Sequence, residues 1–457
     1  MSGQSNHYDA AVIGAGPAGY TAGIRCAATG MKTIVVDRAE IGGTCLNTGC
    51  VPTKILVQAA HDLLRLADLP AEGIETAAAS FSLARLMERK TLIVDHLKKG
   101  VNFLFKKNKV EFRRASAEFS DAKTLVLDGT EKISADRVII ATGSSPVVPA
   151  ALSQGFEPGI LLTNENVFSL RELPSSLLVL GGGFIGCEFA FVFAALGSKV
   201  TIVEQLPEIL LSFDGEVVQE LKKRLAKAGV EIVTNTAVSS LKKIPAGVEA
   251  VLADARVIPV SAALIAAGRK PNSAIPGLAE TGVKTEKGYI PVDPATFETN
   301  VPGIFAIGDV SGPPLLAHKA SDDAERLSES FAGKPRKTPR IIPQVLYTIP
   351  EAASVGATED ELIKSGRPYK KTTVPFVPVA RARIMGETAG FCKLLTHGDR
   401  LLGAHIVGPL ASELIPFLSL GLEMSIPVSV LSRHVISHPT VSEVMKDCLA
   451  AASGDDT

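Results

Sequence analysis

Twice along this chain a short apolar run stops at glycine and gives way to an alanine-rich stretch. Residues 8–13, Tyr-Asp-Ala-Ala-Val-Ile, run into Gly-Ala-Gly-Pro-Ala-Gly, and residues 177–180, Leu-Leu-Val-Leu, run into Gly-Gly-Gly-Phe-Ile-Gly. A run of this length bounded by Gly predicts a strand, and the Ala-rich continuation predicts a helix. Each helix is followed by a Gly turn, Gly30 or Gly197, and by a second apolar strand that ends in an acid, Asp37 or Glu204. The registers agree: Gly14 to Gly181 and Asp37 to Glu204 are each 167 residues apart. The chain therefore reads as two copies of one βαβ unit, with two separate dinucleotide sites.

Between the copies, residues 81–107 predict an amphipathic helix with Lys98, Lys99, Lys106 and Lys107 in solvent. Short strands follow, ending in Val-Ile-Ile-Ala-Thr-Gly-Ser at 138–144; the second copy closes similarly at 264–272. Residues 301–309 predict another strand ending in Gly-Asp, and Gly333-Lys-Pro-Arg-Lys-Thr-Pro339 marks a boundary near 338. Beyond it, strands are expected over 369–376, 390–397 and 400–408, then helices over 411–424, 427–435 and 441–451. That mixture suits an α+β domain rather than a third βαβ unit. The fold class is α/β, two Rossmann-like dinucleotide-binding domains plus a C-terminal α+β domain, divided as 1–145, 146–270, 271–338 and 339–457.

Glycine spacing supplies the first candidate chemistry. In G-x-G-x-x-G the first glycine (Gly14, Gly181) permits a tight turn, and the second (Gly16, Gly183) lets backbone approach a pyrophosphate. The third (Gly19, Gly186) lets helix and strand pack closely. The helix start then binds phosphate through free N–H groups and its dipole. The acid accepts hydrogen bonds from a ribose diol. The bland alternative is a pair of packing turns, but each copy also has its strand, helix and acid in place. Glu204 favours NAD over NADP, because a carboxylate repels a 2′-phosphate and Gln205-Leu206-Pro207 offers no Arg for one.

The totals exclude several classes. The chain has 457 residues, 46% hydrophobic and 21% charged, with net charge −1, so nothing suggests a nucleic-acid or membrane-surface binder. Mean hydropathy of +0.25 raises the question of a membrane span. The most apolar stretches are interrupted too soon, at Glu188 within 184–196 and at Pro416 and Glu423 within 414–424, whereas a span needs roughly 20 apolar residues. A seven-residue polar head runs straight into the strand at Tyr8, with no signal-peptide pattern, so a cytoplasmic location is expected.

Of six cysteines, Cys26, Cys187, Cys392 and Cys448 are scattered, and Cys45 and Cys50 form the one close pair. In a reducing compartment such a pair is more often catalytic than structural. Five residues of regular helix rise about 7.5 Å, and a disulfide wants Cα atoms roughly 4.4–6.8 Å apart. Bridging would require an irregular helix start, which Gly49 and Pro52 suit. A bridge held in non-ideal geometry is easier to reduce. Two free thiols stay open as an alternative; half a zinc site does not, for want of a second ligand pair.

Residues 42–54, Gly-Gly-Thr-Cys-Leu-Asn-Thr-Gly-Cys-Val-Pro-Thr-Lys, resemble the redox segment of the pyridine nucleotide-disulfide oxidoreductase family. So do Ala141-Thr-Gly143, Gly268-Arg-Lys-Pro-Asn272, and the segment from Thr299 to Asp309. The resemblance covers essentially the whole chain. Within the family it is nearest to the branch that oxidises dihydrolipoamide, on Leu316-Ala-His-Lys-Ala320, on residues 380–393, on Gly181-Gly-Gly-Phe-Ile-Gly-Cys-Glu188, and on His438-Pro-Thr-Val-Ser-Glu443.

The resemblance implies FAD in the first unit, NAD in the second, and a C-terminal dimerisation domain. It implies that Cys45 exchanges with substrate, that Cys50 faces the flavin, and that Lys54 sits at the flavin edge paired with Glu188. His438, oriented by Glu443, would act as base in the partner subunit's site of a homodimer. FAD contacts are implied at Gly14, Gly16, Gly19 and Asp37, at Gly43, Thr44 and Lys54, and at Ala117. Thr142, Gly143, Ser144 and Asp309 complete them, with Leu316, Ala317 and His318. NAD contacts are implied at Gly181, Gly183, Gly186 and Glu188, and at Glu204, Val238 and Gly268. The implied reaction takes protein-bound dihydrolipoamide to lipoamide and NAD⁺ to NADH. The lipoyl group would come from an acyltransferase core or a glycine cleavage carrier. No metal is implied.

The chain departs from the family pattern at four places. Thr53 replaces a common Ser, Ala117 a usual Gly, and Ile436 a frequent His, while fourteen residues follow Glu443. Mercuric reductase would want a C-terminal cysteine pair, and glutathione reductase would want arginines for a 2′-phosphate. The soluble transhydrogenase lacks the cysteine pair present here. A non-catalytic flavoprotein subunit is the alternative from another class, and the intact Cys45, Cys50, Lys54, His438 and Glu443 speak against it.

Overall fold

The computed structural model describes residues 6–75, 81–152, 159–334, 336 and 340–454. The boundary expected at 338 lies outside these residues.

The first sheet has a parallel core. The strand His7–Ile13 pairs with Thr33–Asp37 on one side and Glu131–Ile140 on the other. Glu111–Arg114 and Ile304–Ala306 extend it in parallel, and Thr124–Leu127 and Ala117–Asp121 return antiparallel. Alternate residues of the first strand feed two different cores. Ala11 and Ile13 pack with Val138, Ile140 and Ile304; Ala10 and Val12 pack with Val35, Ile139 and Ile307. Burial on both faces is why this strand reads as continuously apolar.

The second copy repeats the plan. Ser176–Leu180 pairs in parallel with Lys199–Val203 and Ala262–Ile265, flanked by Val230–Val233 and Leu161–Leu162. Leu177 and Val179 face one core and Leu178 and Leu180 the other. An antiparallel sheet of Val238–Ile244, Gly247–Leu252 and Val257–Val260 covers the second of these cores. Helices α1 (Pro17–Ala28) and α5 (Phe184–Ala195) follow the two glycine loops. Between them lie α2 (Gly43–Thr48), α3 (Cys50–Asp68) and α4 (Leu83–Asn108).

The C-terminal region is an antiparallel sheet ordered Gln344–Leu346, Glu351–Gly356, Arg400–Gly408, Phe391–His397, Lys370–Pro375. Helices Ala411–Glu423 and Glu443–Ser453 close its core. This is the α/β-plus-α+β class that the pattern predicts.

Some expectations need correction. The helix expected over 427–435 is only Val428–Leu431, and the strand expected over 301–309 is Ile304–Ala306 turning into a 3₁₀ segment at Gly308–Ser311. Lys98 is not simply solvated: its ammonium lies 2.6 Å from Glu40 and 3.0 Å from Asp95. No helix among the described residues is long and apolar enough to cross a membrane.

Candidate active site

The two glycine loops divide their work as the spacing requires. Gly14 has φ +107°, and a Cβ there would lie 2.3 Å from the Ala141 carbonyl oxygen. One on Gly19 would lie 1.8 Å from the Gly14 carbonyl oxygen. Gly181 and Gly186 repeat this, at 2.4 Å from Ala266 O and 2.0 Å from Gly181 O. The middle glycines differ. A Cβ on Gly16 would meet nothing nearer than 3.7 Å, and one on Gly183 nothing within 4 Å. They are the N-caps of α1 and α5, and neither helix start has a side-chain cap. Both ends thus keep open N–H groups beside open space, which suits a phosphate.

The acids stand at these loops. Asp37 accepts from the N–H groups of Ala15 (2.7 Å) and Ala39 (2.8 Å), and Glu204 from those of Gly182 (2.7 Å) and Leu206 (2.8 Å). Each oxygen is fixed by one bond and retains capacity for a ribose hydroxyl. Gly43, at φ +55°, packs against Gly16 and carries Thr44 to the same loop. Val238 starts the covering hairpin and Gly268 lies just past the strand Ala262–Ile265, where its carbonyl accepts from Val147 N. Ala117 sits in an antiparallel strand opposite Leu127, half-buried against the core that holds Phe119 and Leu125. Ala115 is the alanine beside Asp37, its N–H bonding the Asp37 carbonyl at 2.9 Å.

The ends of the two units are tied together. Thr142 Oγ1 donates to Asn272 O at 2.7 Å while Asn272 Nδ2 donates to Thr142 O at 2.9 Å. Gly143 O accepts from Asn272 N at 2.9 Å. Ser144 donates to Asp309 at 2.5 Å and accepts from Arg269 Nε at 2.7 Å.

Cys45 and Cys50 lie on either side of a helix break. α2 ends at Thr48, α3 begins at Cys50, and Gly49 between them has φ −136° and ψ −114°. A Cβ on Gly49 would come within 2.9 Å of Thr44 O and 3.3 Å of Cys45 Cα, so the two turns are folded tightly together. Pro52 sits in the first turn of α3, where its missing N–H costs nothing. Across this break the two side chains lie against each other, and each is the largest influence on the other's thiol through a sulfur–sulfur hydrogen bond. That bond, together with Lys54, pulls Cys50 down to about 7 against burial, whereas Cys45 is pushed upward by the same bond and by burial.

The pair opens on a cavity of about 740 Å³. Val51, Ile55 and Ala59 of α3 and Leu86 of α4 give it apolar walls, with Gln58, Asp62 and Arg89 among them. Leu316, Ala317 and His318 line it too, as the start of the helix Ala317–Phe331. One turn after Cys50, Lys54 meets Glu188 of α5 with both carboxylate oxygens, at 2.9 and 2.8 Å. Glu188 is 6% exposed.

Three participants were not foreseen. Tyr347 lines the cavity, places its ring 4.5 Å from the Lys54 ammonium and donates its N–H to Glu188 at 3.0 Å. Asn164 bonds Thr48 O at 3.1 Å, and Arg269 bonds Ser144. Their partners lie over a hundred positions away, and no local spacing signals them.

His438 and Glu443 form a separate dyad. His438 Nδ1 and Glu443 Oε1 are 2.8 Å apart, and Glu443 also accepts from Thr440 N at 3.0 Å. The bond from His438 holds the Glu443 carboxyl below its usual range. The imidazole is 71% exposed, and neither residue lines the cysteine cavity of its own chain.

Residues 8–324 match the family described as pyridine nucleotide-disulphide oxidoreductase, and residues 342–449 match the dimerisation domain of that family. The dihydrolipoyl dehydrogenase of Trypanosoma brucei brucei is 38% identical, across 97% of this chain and 96% of its own. That of Thermus scotoductus is 39% identical across 97% of both. Among solved structures, LpdA from Mycobacterium tuberculosis has a TM-score of 0.90 at 26% identity, over 97% of this chain and 99% of that one. The HOCl-induced flavoprotein disulfide reductase RclA from Escherichia coli has a TM-score of 0.88 at 29% identity, with the same coverage.

Proposed function

The chain belongs to the pyridine nucleotide-disulphide oxidoreductase family, and within it we propose that this protein oxidises protein-bound dihydrolipoamide to lipoamide and reduces NAD⁺ to NADH, with FAD between them. The observation that carries the reading is the cysteine pair folded across the break at Gly49, with Lys54 held beside it by Glu188.

The residues fit the two dinucleotides. Gly16 and Gly183 leave room for phosphate at two uncapped helix starts, with Asp37 and Glu204 ready for ribose. FAD would rest on α1 and reach the cavity beside Cys50, Lys54 and Leu316–His318. NAD would rest on α5.

In the oxidised enzyme Cys45 and Cys50 are bridged. His438 from a partner subunit takes the proton from a substrate thiol, because the thiolate is the attacking species. That thiolate attacks Cys45, a mixed disulfide forms, and Cys50 leaves as thiolate. The second substrate thiol displaces Cys45 and closes the lipoamide ring. Lys54 stabilises the charge on Cys50. FAD, when bound, would take two electrons from the Cys45–Cys50 dithiol, whose sulfurs rejoin as the disulfide with loss of their protons, and would pass the pair as hydride to NAD⁺. Glu443 orients His438 and stabilises its protonated form. Because the dyad lies away from its own chain's cavity, the working unit is a homodimer, as the dimerisation-domain match supports.

The test is turnover of the FAD-loaded protein with dihydrolipoamide and NAD⁺ or NADP⁺. NADH formation is expected, with NADP⁺ a poor substitute. Cys45→Ser and Cys50→Ser should each lower turnover by about 10³-fold or more. Reduction of some other disulfide by NADH, with no dihydrolipoamide oxidation, would move the protein to another branch of the family.

A further inference from the structure

We infer that Tyr347 is a positioning residue for Lys54, its ring face holding the ammonium at the Glu188 carboxylate, where the charge acts on Cys50. The inference rests on the reading of Cys50 as the flavin-facing sulfur.

Lys54 has a flexible four-carbon stem, and Glu188 restrains its ammonium from one direction only, at 2.8–2.9 Å. The Tyr347 ring lies 4.5 Å from that ammonium, within the range of a cation–π contact. The same residue's N–H fixes Glu188 at 3.0 Å, so Tyr347 touches both members of the ion pair. It comes from a distant part of the chain, directly after the strand Gln344–Leu346. The C-terminal sheet thereby reaches the cysteine cavity of its own chain.

The ring, not the hydroxyl, carries the effect. The phenol has no hydrogen-bond partner among the described residues. Burial, and then the carboxylates of Glu351, Glu188 and Glu413, push it up to about 12, so it is neutral at working pH. The charged and titratable groups around this contact are Glu188 on α5, Cys50 on α3, Glu351 on the strand Glu351–Gly356 and Glu413 on the helix Ala411–Glu423. After the hydrogen bond from Cys45, Lys54 is the charge that favours the Cys50 thiolate, and Glu188 opposes it. Without the ring, the ammonium gains water and freedom, and the thiolate keeps the Cys45 hydrogen bond but loses part of the Lys54 contribution.

The readout is the long-wavelength absorbance that a Cys50 thiolate gives beside the flavin. It is followed against pH in dithiol-reduced, FAD-loaded protein. Tyr347→Leu should raise the midpoint by roughly 0.3–1 unit, about two- to tenfold in the thiol–thiolate equilibrium. Tyr347→Phe, which keeps the ring, should leave it in place. Where Tyr347→Leu does not take up FAD, 3,4,5-trifluorophenylalanine in place of Tyr347 keeps the shape, weakens the ring face and should raise the midpoint. An unchanged midpoint in the ring-weakened variants overturns the inference, as does an equal shift in Tyr347→Phe. Absence of the band from the unsubstituted protein would instead sink the reading of Cys50.

Discussion

Cys45 and Cys50 share one cavity, yet their thiols are driven in opposite directions. The hydrogen bond between them is the main cause, with Lys54 adding to the stabilisation of Cys50. In the dithiol form the negative charge therefore collects on Cys50. The thiolate fraction grows as pH rises, so the thiolate–flavin absorbance should be half developed near pH 7 and largely lost about one unit below. Glu188→Gln removes a charge that opposes the thiolate, so the midpoint should fall below that of the unsubstituted protein in the same titration. A rise would mean that Glu188 acts mainly by holding Lys54 in place. The glycines, both cysteines, Lys54 and the acids are legible because they occur in contiguous motifs whose spacing carries the chemistry. Tyr347 is not legible: its partners Lys54 and Glu188 are brought to it only by tertiary folding. Nor does the sequence show that of the alanines at 115 and 117 it is Ala115 whose N–H bonds the Asp37 carbonyl, while Ala117 pairs opposite Leu127.

The two βαβ copies make a matched experiment at the level of elements. Gly14 and Gly181 both have φ near +107° and both face a carbonyl at the end of a neighbouring strand. Gly14→Ala should yield protein that no longer retains FAD, seen as loss of yellow colour on purification. Gly181→Ala should keep the colour and raise the KM for NAD⁺ by about tenfold or more, an effect of over 1 kcal/mol from the strained turn. Equal effects on both cofactors would contradict the assignment of one nucleotide to each copy. Elements with strong periodicity were readable almost to the residue. α4 runs Leu83–Asn108 against 81–107 expected, and the strands Phe391–His397 and Arg400–Gly408 lie within a residue of the expected 390–397 and 400–408. Short elements were not. Gln344–Leu346 and Ile304–Ala306 hold three residues each, too few for a pattern, and owe their form to neighbouring strands.

Across the whole molecule, a buried charge cluster joins the second nucleotide unit to the C-terminal sheet. Lys393, fully buried on the strand Phe391–His397, reaches Asp214 at 2.8 Å, Glu359 at 2.6 Å and Glu216 at 3.2 Å. Asp214 is also fully buried and caps the helix Gly215–Lys227. Burial alone would raise its carboxyl, but His405, Lys393 and the Glu359 N–H together hold it below the usual 3.8. Its share of stability is thus complete above pH 3.8 and is lost as pH falls towards the lower folded value. Lys393→Met should cost about 3–5 kcal/mol in denaturant unfolding, because Asp214 is left buried without its partner. Adding Asp214→Asn should restore part of that loss. A null effect of the single change would mean that the cluster does not hold the two parts together.

The most direct trial of the central claim is an anaerobic titration of the FAD-loaded protein, first with dihydrolipoamide and then with NAD⁺. One equivalent of the dithiol should produce the long-wavelength thiolate–flavin band, and NAD⁺ should discharge it with release of NADH; a spectrum that dihydrolipoamide leaves unchanged, or a band that persists in Cys50→Ser, would contradict it.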